Sequence, residues 1–367
     1  MLSDTYSRHS CFRVRLAGTV CLTAALVMGL IIFSCKGGST SDGAKRVLPA
    51  EEAFNGIYWW KTNFQPNAYE LDFLKENKIN KLYVKFFDVV EGSYELIQPI
   101  ATTKFSSPMP EGVTLVPVVF ISADAVKKMT LQFSDGRIST ENAAQKIVTR
   151  VKNMLSYNEL GPLTELQLDC DYAVTDVSLF FDLCRKVKSL VGEDVVLSTT
   201  IRLSVLGKTP PVDKGVLMLY NTDSFKNIRV QNSILNHETV ELYLNRLKNI
   251  DIPLDIAIPA YRWGIAFSGD NFLQILRKAD YSDTTLYAPV PYTNRFEVKD
   301  PHTVDGCYLL KGYQIRSENS DPEEIALSKE LLRKSYPDMQ SNIILYHLDS
   351  ANLSTYTKDE IQSFYSR

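Results

Sequence analysis

Glu165-Leu166-Gln167-Leu168-Asp169-Cys170-Asp171 reads as a short strand, apolar along much of its length and acidic at its end. Seven further β-rich runs share that brevity, at 56–61, 81–89, 114–121, 195–203, 216–220, 254–259 and 342–347. Between several of them the apolar spacing changes to that of a helix. Residues 69–77 carry Leu71, Phe73 and Leu74, and 141–157 repeat Ala144, Ile147, Val148, Val151 and Leu155 after the cap candidates Ser139 and Thr140. Segments 177–191 and 237–250 behave alike, and 322–335 opens with Pro322 at a first-turn position. Eight buried strands interleaved with helices predict a parallel sheet covered by helices, and eight is the number that closes a (β/α)8 TIM barrel. Such a barrel takes about 250 residues. The surplus within a domain over 49–367 falls mostly between the seventh and eighth runs, where 286–298 and 306–316 read as an inserted pair of extended segments. An open doubly wound sheet is the competing fold, and the lack of a Gly-rich phosphate loop after the first strand weighs against it.

In a barrel of this kind chemistry belongs to the loops at the C-terminal ends of the strands. Those ends are polar and aromatic: Tyr58, Trp59 and Trp60 on the first, Lys85 and Asp88 on the second, Asp169 and Asp171 on the fourth, Arg202 on the fifth. The sixth adds Tyr220, Asn221 and Asp223, the seventh Tyr261, Arg262 and Trp263, and the eighth His347 and Asp349. Aromatic rings beside carboxylates suit a sugar, whose C–H faces stack while its hydroxyls meet acceptors. The same residue types also fill barrel cores and cap helices. Asp169 and Asp171, two apart on a strand, point the same way with Cα atoms roughly 6.6 Å apart. A charge turned into a barrel is costly unless paired, so the pair calls for a shared proton or a cation, with Lys85 and Arg202 the candidates. The arrangement serves either a tuned general acid or a structural ion network.

These residues resemble a known family. Ile79-Asn80-Lys81-Leu82-Tyr83-Val84 with Phe86-Phe87-Asp88 looks like the second strand of the chitinase-like barrels of glycoside hydrolase family 18. Leu166-Gln167-Leu168-Asp169-Cys170-Asp171-Tyr172-Ala173 lines up with that family's fourth-strand DxxDxDxE. Val216-Leu217-Met218-Leu219-Tyr220-Asn221 is similar to its MxYD, and Ile256-Ala257-Ile258-Pro259-Ala260-Tyr261 to its seventh strand. The fourth and fifth strands, Asp169-Cys170-Asp171-Tyr172 and Thr200-Ile201-Arg202-Leu203, also look like those of a group of lipoproteins from Gram-negative gut bacteria. The resemblance implies a barrel acting on or recognising a glycan, with no cofactor and no metal. It departs at the decisive position: the Glu that protonates the leaving oxygen is Ala173, and the first Asp is Leu166. An alanine transfers no proton, so chitinase activity does not carry over.

Three readings follow. A glycosidase would need another carboxylate as acid: Asp171, with Asp223 or Asp88 as its partner and Asp169 beside it on the strand. A non-catalytic glycan receptor would keep only the binding groups, Trp59, Trp60, Asp88, Arg202, Tyr220, Asn221, Tyr261, Trp263 and His347. In a structural envelope lipoprotein the same polar residues would serve stability.

The N-terminus sets the compartment. Arg8, Arg13 and Arg15 precede an uncharged apolar stretch from Leu16 to Ser34, and Cys35 follows Ile32-Phe33-Ser34. That is the plan of a secretory signal over 1–34, and Cys35 after a small residue resembles a bacterial lipobox, implying lipidation there. Residues 35–48 read as a polar tether. An uncleaved signal anchor is the alternative, because a stretch of this length just spans a bilayer. Both place the body outside the cytoplasm, at the cell envelope and joined to a membrane. Acidic and basic residues are well mixed around a net charge of −3, which gives no basic stripe for nucleic acid. Cys170, Cys184 and Cys307 make no disulfide framework, and His237, His302 and His347 stand in unrelated contexts, against a histidine metal centre.

Overall fold

A computed structural model describes residues 52–92, 97–129, 139–337, 339 and 341–367. The signal over 1–34, the lipidation candidate Cys35 and the tether over 35–48 lie outside the described residues. Eight strands form the expected barrel: Asn55–Trp59, Ile79–Glu91, Thr114–Ile121, Glu165–Cys170, Val196–Arg202, Lys214–Met218, Leu254–Pro259 and Ile343–Tyr346. Each is parallel to the next, and the first bonds both the second and the eighth, which closes the cylinder. Strand Ile97–Ile100 adds an antiparallel partner at the end of the long second strand.

The helices start where the chain supplies caps. Ser139 accepts a hydrogen bond from Asn142 N and opens Thr140–Tyr157, whose buried stripe includes Ala144, Ile147, Val148, Val151 and Leu155. Asp321 caps Pro322–Ser335 with proline in its first turn. Ala68–Glu76, Val177–Val191 and His237–Leu247 fall where the periodicity put them, the last three residues shorter than expected. Cys170 and Cys184 are buried and Cys307 is partly exposed; all three are free thiols.

Inward side chains of several strands meet in the lumen in layers. At the floor Lys81 and Lys214 reach Glu165 at 3.1 and 3.6 Å, Lys214 reaches Asp255 at 3.0 Å, and Ser198 donates to Glu165 at 2.7 Å. Above them Tyr58 Oη donates to Gln167 Oε1 at 2.8 Å. The third layer holds Asp169, which accepts from Thr200 Oγ1 at 2.5 Å. Positions 165, 167 and 169 therefore face inward, as strand alternation requires.

The insertion is larger than the expected pair of segments. It is a five-stranded antiparallel sheet in the order Asn271–Leu276, Arg262–Ser268, Gln314–Asn319, Arg295–Val298, Tyr287–Pro289. Ala266, Leu276, Tyr287, Val298, Leu309 and Ile315 give it a small core of its own. A hairpin, His302–Val304 with Cys307–Leu309, turns through Asp305 and Gly306 at φ 49° and 78°. Two positive φ angles in a two-residue turn fit the right-handed twist of the strands.

Candidate functional site

A cavity of about 510 Å³ opens at the C-terminal ends of the barrel strands. Tyr58, Trp60, Asp169, Asp171, Tyr220, Asn221, Tyr261, Arg262, Trp263, His347 and Asp349 line it, so eleven of the residues singled out from sequence do converge. Tyr346 is the centre of its aromatic wall. Its ring lies 5.8 Å from Tyr58, 5.7 Å from Trp60, 5.6 Å from Tyr220 and 5.8 Å from Tyr261, and Trp263 follows Tyr261 at 5.1 Å. The Tyr346–His347 peptide is cis. Asn221 adopts φ 53°, a left-handed conformation that asparagine tolerates, and its Oδ1 accepts from Tyr261 Oη at 2.8 Å.

The two aspartates have separate roles. Asp169 is 9% exposed, and burial pushes its carboxyl up to about 7; Thr200's hydrogen bond opposes the shift, neighbouring Asp171 adds to it, and Arg202 opposes it. Asp171 lies just past the strand end, its side chain 57% exposed and its Oδ1 3.6 Å from Arg202 Nε. Arg202 also donates to the carbonyl of Tyr172 and lies 5.6 Å over that ring. It thus clamps the loop that carries Ala173, which is exposed. Burial lowers His347 to about 4, so it stays neutral near pH 7, and among the described residues its Nδ1 has no hydrogen-bond partner. Asp349, the remaining carboxylate of the cavity, caps Ser350–Leu353 through Ala351 N.

Four expected residues stand off the cavity lining. Trp59 is fully buried and packs on Phe64 at 5.0 Å, because alternation sends it outward while its neighbours Tyr58 and Trp60 line the cavity. Asp88 pairs with Lys85 at 3.0 Å, and Lys85 in turn lies 5.7 Å from the ring of Trp60. Arg202 acts through Asp171 and Tyr172, as above. Asp223 accepts from Thr239 Oγ1 at 3.0 Å and so serves the start of helix His237–Leu247. The sequence did not single out Tyr346 or the insertion's Arg277 and Lys278. Tyr346 was legible as the next-to-last position of the eighth run; Arg277 and Lys278 carried no signal because their approach depends on how the inserted sheet folds back.

A second cavity, about 560 Å³, lies at the opposite end of the barrel among Lys214, Asp255, Lys329 and Arg333. Lys214 pairs with Asp255, Lys329 donates to the carbonyls of Ser363 and Phe364, and Arg333 donates to that of Ser366. Burial raises the Asp255 carboxyl there too and lowers Lys329 to about 8, so a shifted group does not separate the two cavities; the first is the candidate because it opens at the C-terminal ends of the strands. Among the described residues no His/Cys/Asp/Glu cluster could hold a metal ion, and no helix is long and apolar enough to cross a membrane.

The spore cortex-lytic enzyme SleL of Bacillus megaterium superposes with a TM-score of 0.50 at 10% identity, over 87% of this chain and 76% of that one. The chain has its fold. SleL of Bacillus cereus gives 0.49 at 13% identity, covering 85% and 74%, and a chitinase of Chromobacterium violaceum 0.47 at 13%, covering 86% and 100%. No family model matches this sequence, and neither does any curated protein. The sheet inserted after the seventh barrel strand supplies Arg262, Trp263, Arg277 and Lys278 to the cavity wall.

Proposed function

We propose that this chain is an exported lipoprotein, anchored through Cys35, whose barrel binds a glycan in the cavity above Asp169. The observation that carries the reading is the convergence of Asp169 and Asp171 with Trp60, Tyr220, Tyr261, Trp263 and Tyr346 in one 510 Å³ cavity. A sugar would lay its C–H faces on those rings and its hydroxyls on the carboxylates and Asn221. Binding without the family's route of hydrolysis is the reading that Ala173 supports. The carboxylates of the cavity are also engaged: Asp169 by Thr200, Asp171 by Arg202, Asp349 by a helix end. The glycan-handling names of the similar structures, a spore cortex-lytic enzyme and a chitinase, agree with a sugar ligand, but it is the cavity that argues for one.

Calorimetry of the full-length chain with chitotetraose should give saturable binding, weakened at least tenfold by Trp60→Ala or Trp263→Ala. Aromatic stacking is worth about 0.5–1.5 kcal/mol beyond the area it buries. Unaltered binding in both variants would remove the aromatic wall from the account. A second reading, hydrolysis, rests on one fact: Asp169, with its carboxyl raised to about 7, can hold a proton at neutral pH. Release of reducing ends that disappears in Asp169→Asn would establish it; a flat assay alongside measurable binding leaves the receptor.

A further inference from the structure

Beyond the barrel's own cavity lies an annex of about 440 Å³, walled by the inserted sheet. The two spaces share Arg262, Trp263, Arg277 and Lys278. Trp263 is the step between them. Its Nε1 donates to Glu318 Oε2 at 2.6 Å, which fixes the indole plane. Gly264 follows, and a Cβ there would lie 2.0 Å from Tyr281 Oη, so the glycine leaves room for the Tyr281 side chain that lines the annex.

The shared wall is cationic. Arg262, Arg277 and Lys278 are exposed, and among the described residues none has a carboxylate at ion-pair distance or a hydrogen bond from its side chain. Their backbone is held. Asp305, at the tip of the hairpin, accepts from Arg277 N at 2.6 Å and Lys278 N at 3.0 Å, and Gln274 Nε2 donates to the Asp305 carbonyl at 2.7 Å. The annex does contain one carboxylate, Asp280, but it is turned to Ser282, accepting from its N at 3.0 Å and its Oγ at 2.6 Å. Three like charges gathered on one wall repel one another, and an anion bound among them relieves that repulsion.

We propose that the annex is a subsite for an anionic substituent, a carboxylate or sulfate, on a sugar residue adjoining the one held over Asp169. The proposal rests on the glycan reading above and narrows the ligand class to acidic glycans. The ring of that residue would stack on Trp263 while its anionic group reaches the three cations.

The test compares three tetrasaccharides on the full-length chain in non-ionic detergent: neutral chitotetraose, a hyaluronan tetrasaccharide carrying carboxylates, and 6-O-sulfated chitotetraose. At low salt at least one acidic ligand should bind about tenfold tighter than the neutral one, and the arm that gains identifies carboxylate or sulfate. That preference should shrink between 50 mM and 500 mM NaCl, because screening weakens exposed charge pairs. In Arg277→Ala/Lys278→Ala the ratio of acidic to neutral affinity should fall toward one. The salt series on the unaltered protein gives the same answer without any variant. Equal affinity for all three at every salt concentration would overturn the subsite and leave the glycan reading standing. No binding of any of the three would remove the glycan reading, and the subsite with it.

Discussion

At Asp169 the barrel holds a carboxyl that resists ionising until about pH 7, while in the unfolded chain it ionises near the ordinary aspartate value of 3.8. Between those values the folded state binds the extra proton, so its contribution to stability is full below about pH 4 and is lost as pH rises through 7. His347 runs the other way: lowered to about 4 from 6.5, it contributes above 6.5 and its contribution is lost as pH falls through 4. Asp169→Asn removes the first titration and keeps an oxygen for Thr200 to donate to. The variant should therefore gain stability on the unaltered protein as pH rises from 5 to 8, by on the order of 2–4 kcal/mol. Urea unfolding at the two pH values measures this; a difference that does not change with pH would mean that Asp169 titrates normally. The same scale shows what the sequence held. The Asp169/Asp171 pair and the sixth- and seventh-strand aromatics were legible because strand ends mark the mouth of a barrel. Trp59 was misplaced although strand alternation exiles it: with Tyr58 and Trp60 inside, Trp59 must face out.

Among the elements, helices were legible where caps and apolar stripes agreed, as in Thr140–Tyr157 and Pro322–Ser335. The first insertion strand, Arg262–Ser268, was not, because it leaves the seventh barrel strand after only Ala260 and Tyr261, and because its antiparallel partners are short and partly exposed. This sheet is tied to the barrel mouth by a fully buried pair. Arg316 Nε donates to Glu318 Oε1 at 2.5 Å, and its Nη atoms donate to the carbonyls of Phe225, Asn227 and Val230 at 2.7–2.9 Å. Glu318 Oε2 accepts from both Trp263 and Ser233 at 2.6 Å. Glu318→Gln keeps the shape but leaves a buried guanidinium without its counter-charge, which costs roughly 3–5 kcal/mol. Denaturant unfolding should show a loss of that size, with altered tryptophan fluorescence from Trp263. A loss under about 1 kcal/mol would mean that the three carbonyls alone carry Arg316.

For the whole molecule, the count of eight alternating strands was enough to name the barrel, since closure follows from number and order more than from any single residue. The cavity was only half legible, because one wall is contributed by a sheet whose docking depends on contacts far apart in sequence. The tether argued from the N-terminus is testable at this scale. Cells fed labelled palmitate should label the protein, and Cys35→Ala should abolish both the label and its partition into the detergent phase. A variant that stays membrane-bound with no label would favour the uncleaved anchor.

The salt-bridged layer of Lys81, Glu165, Lys214 and Asp255 works as a bulkhead. With each of these side chains at most 10% exposed, nothing threads the cylinder from end to end. Whatever enters above Asp169 must depart by the same doorway, so a long polymer can only lie across the rim and dip one unit at a time into a blind well.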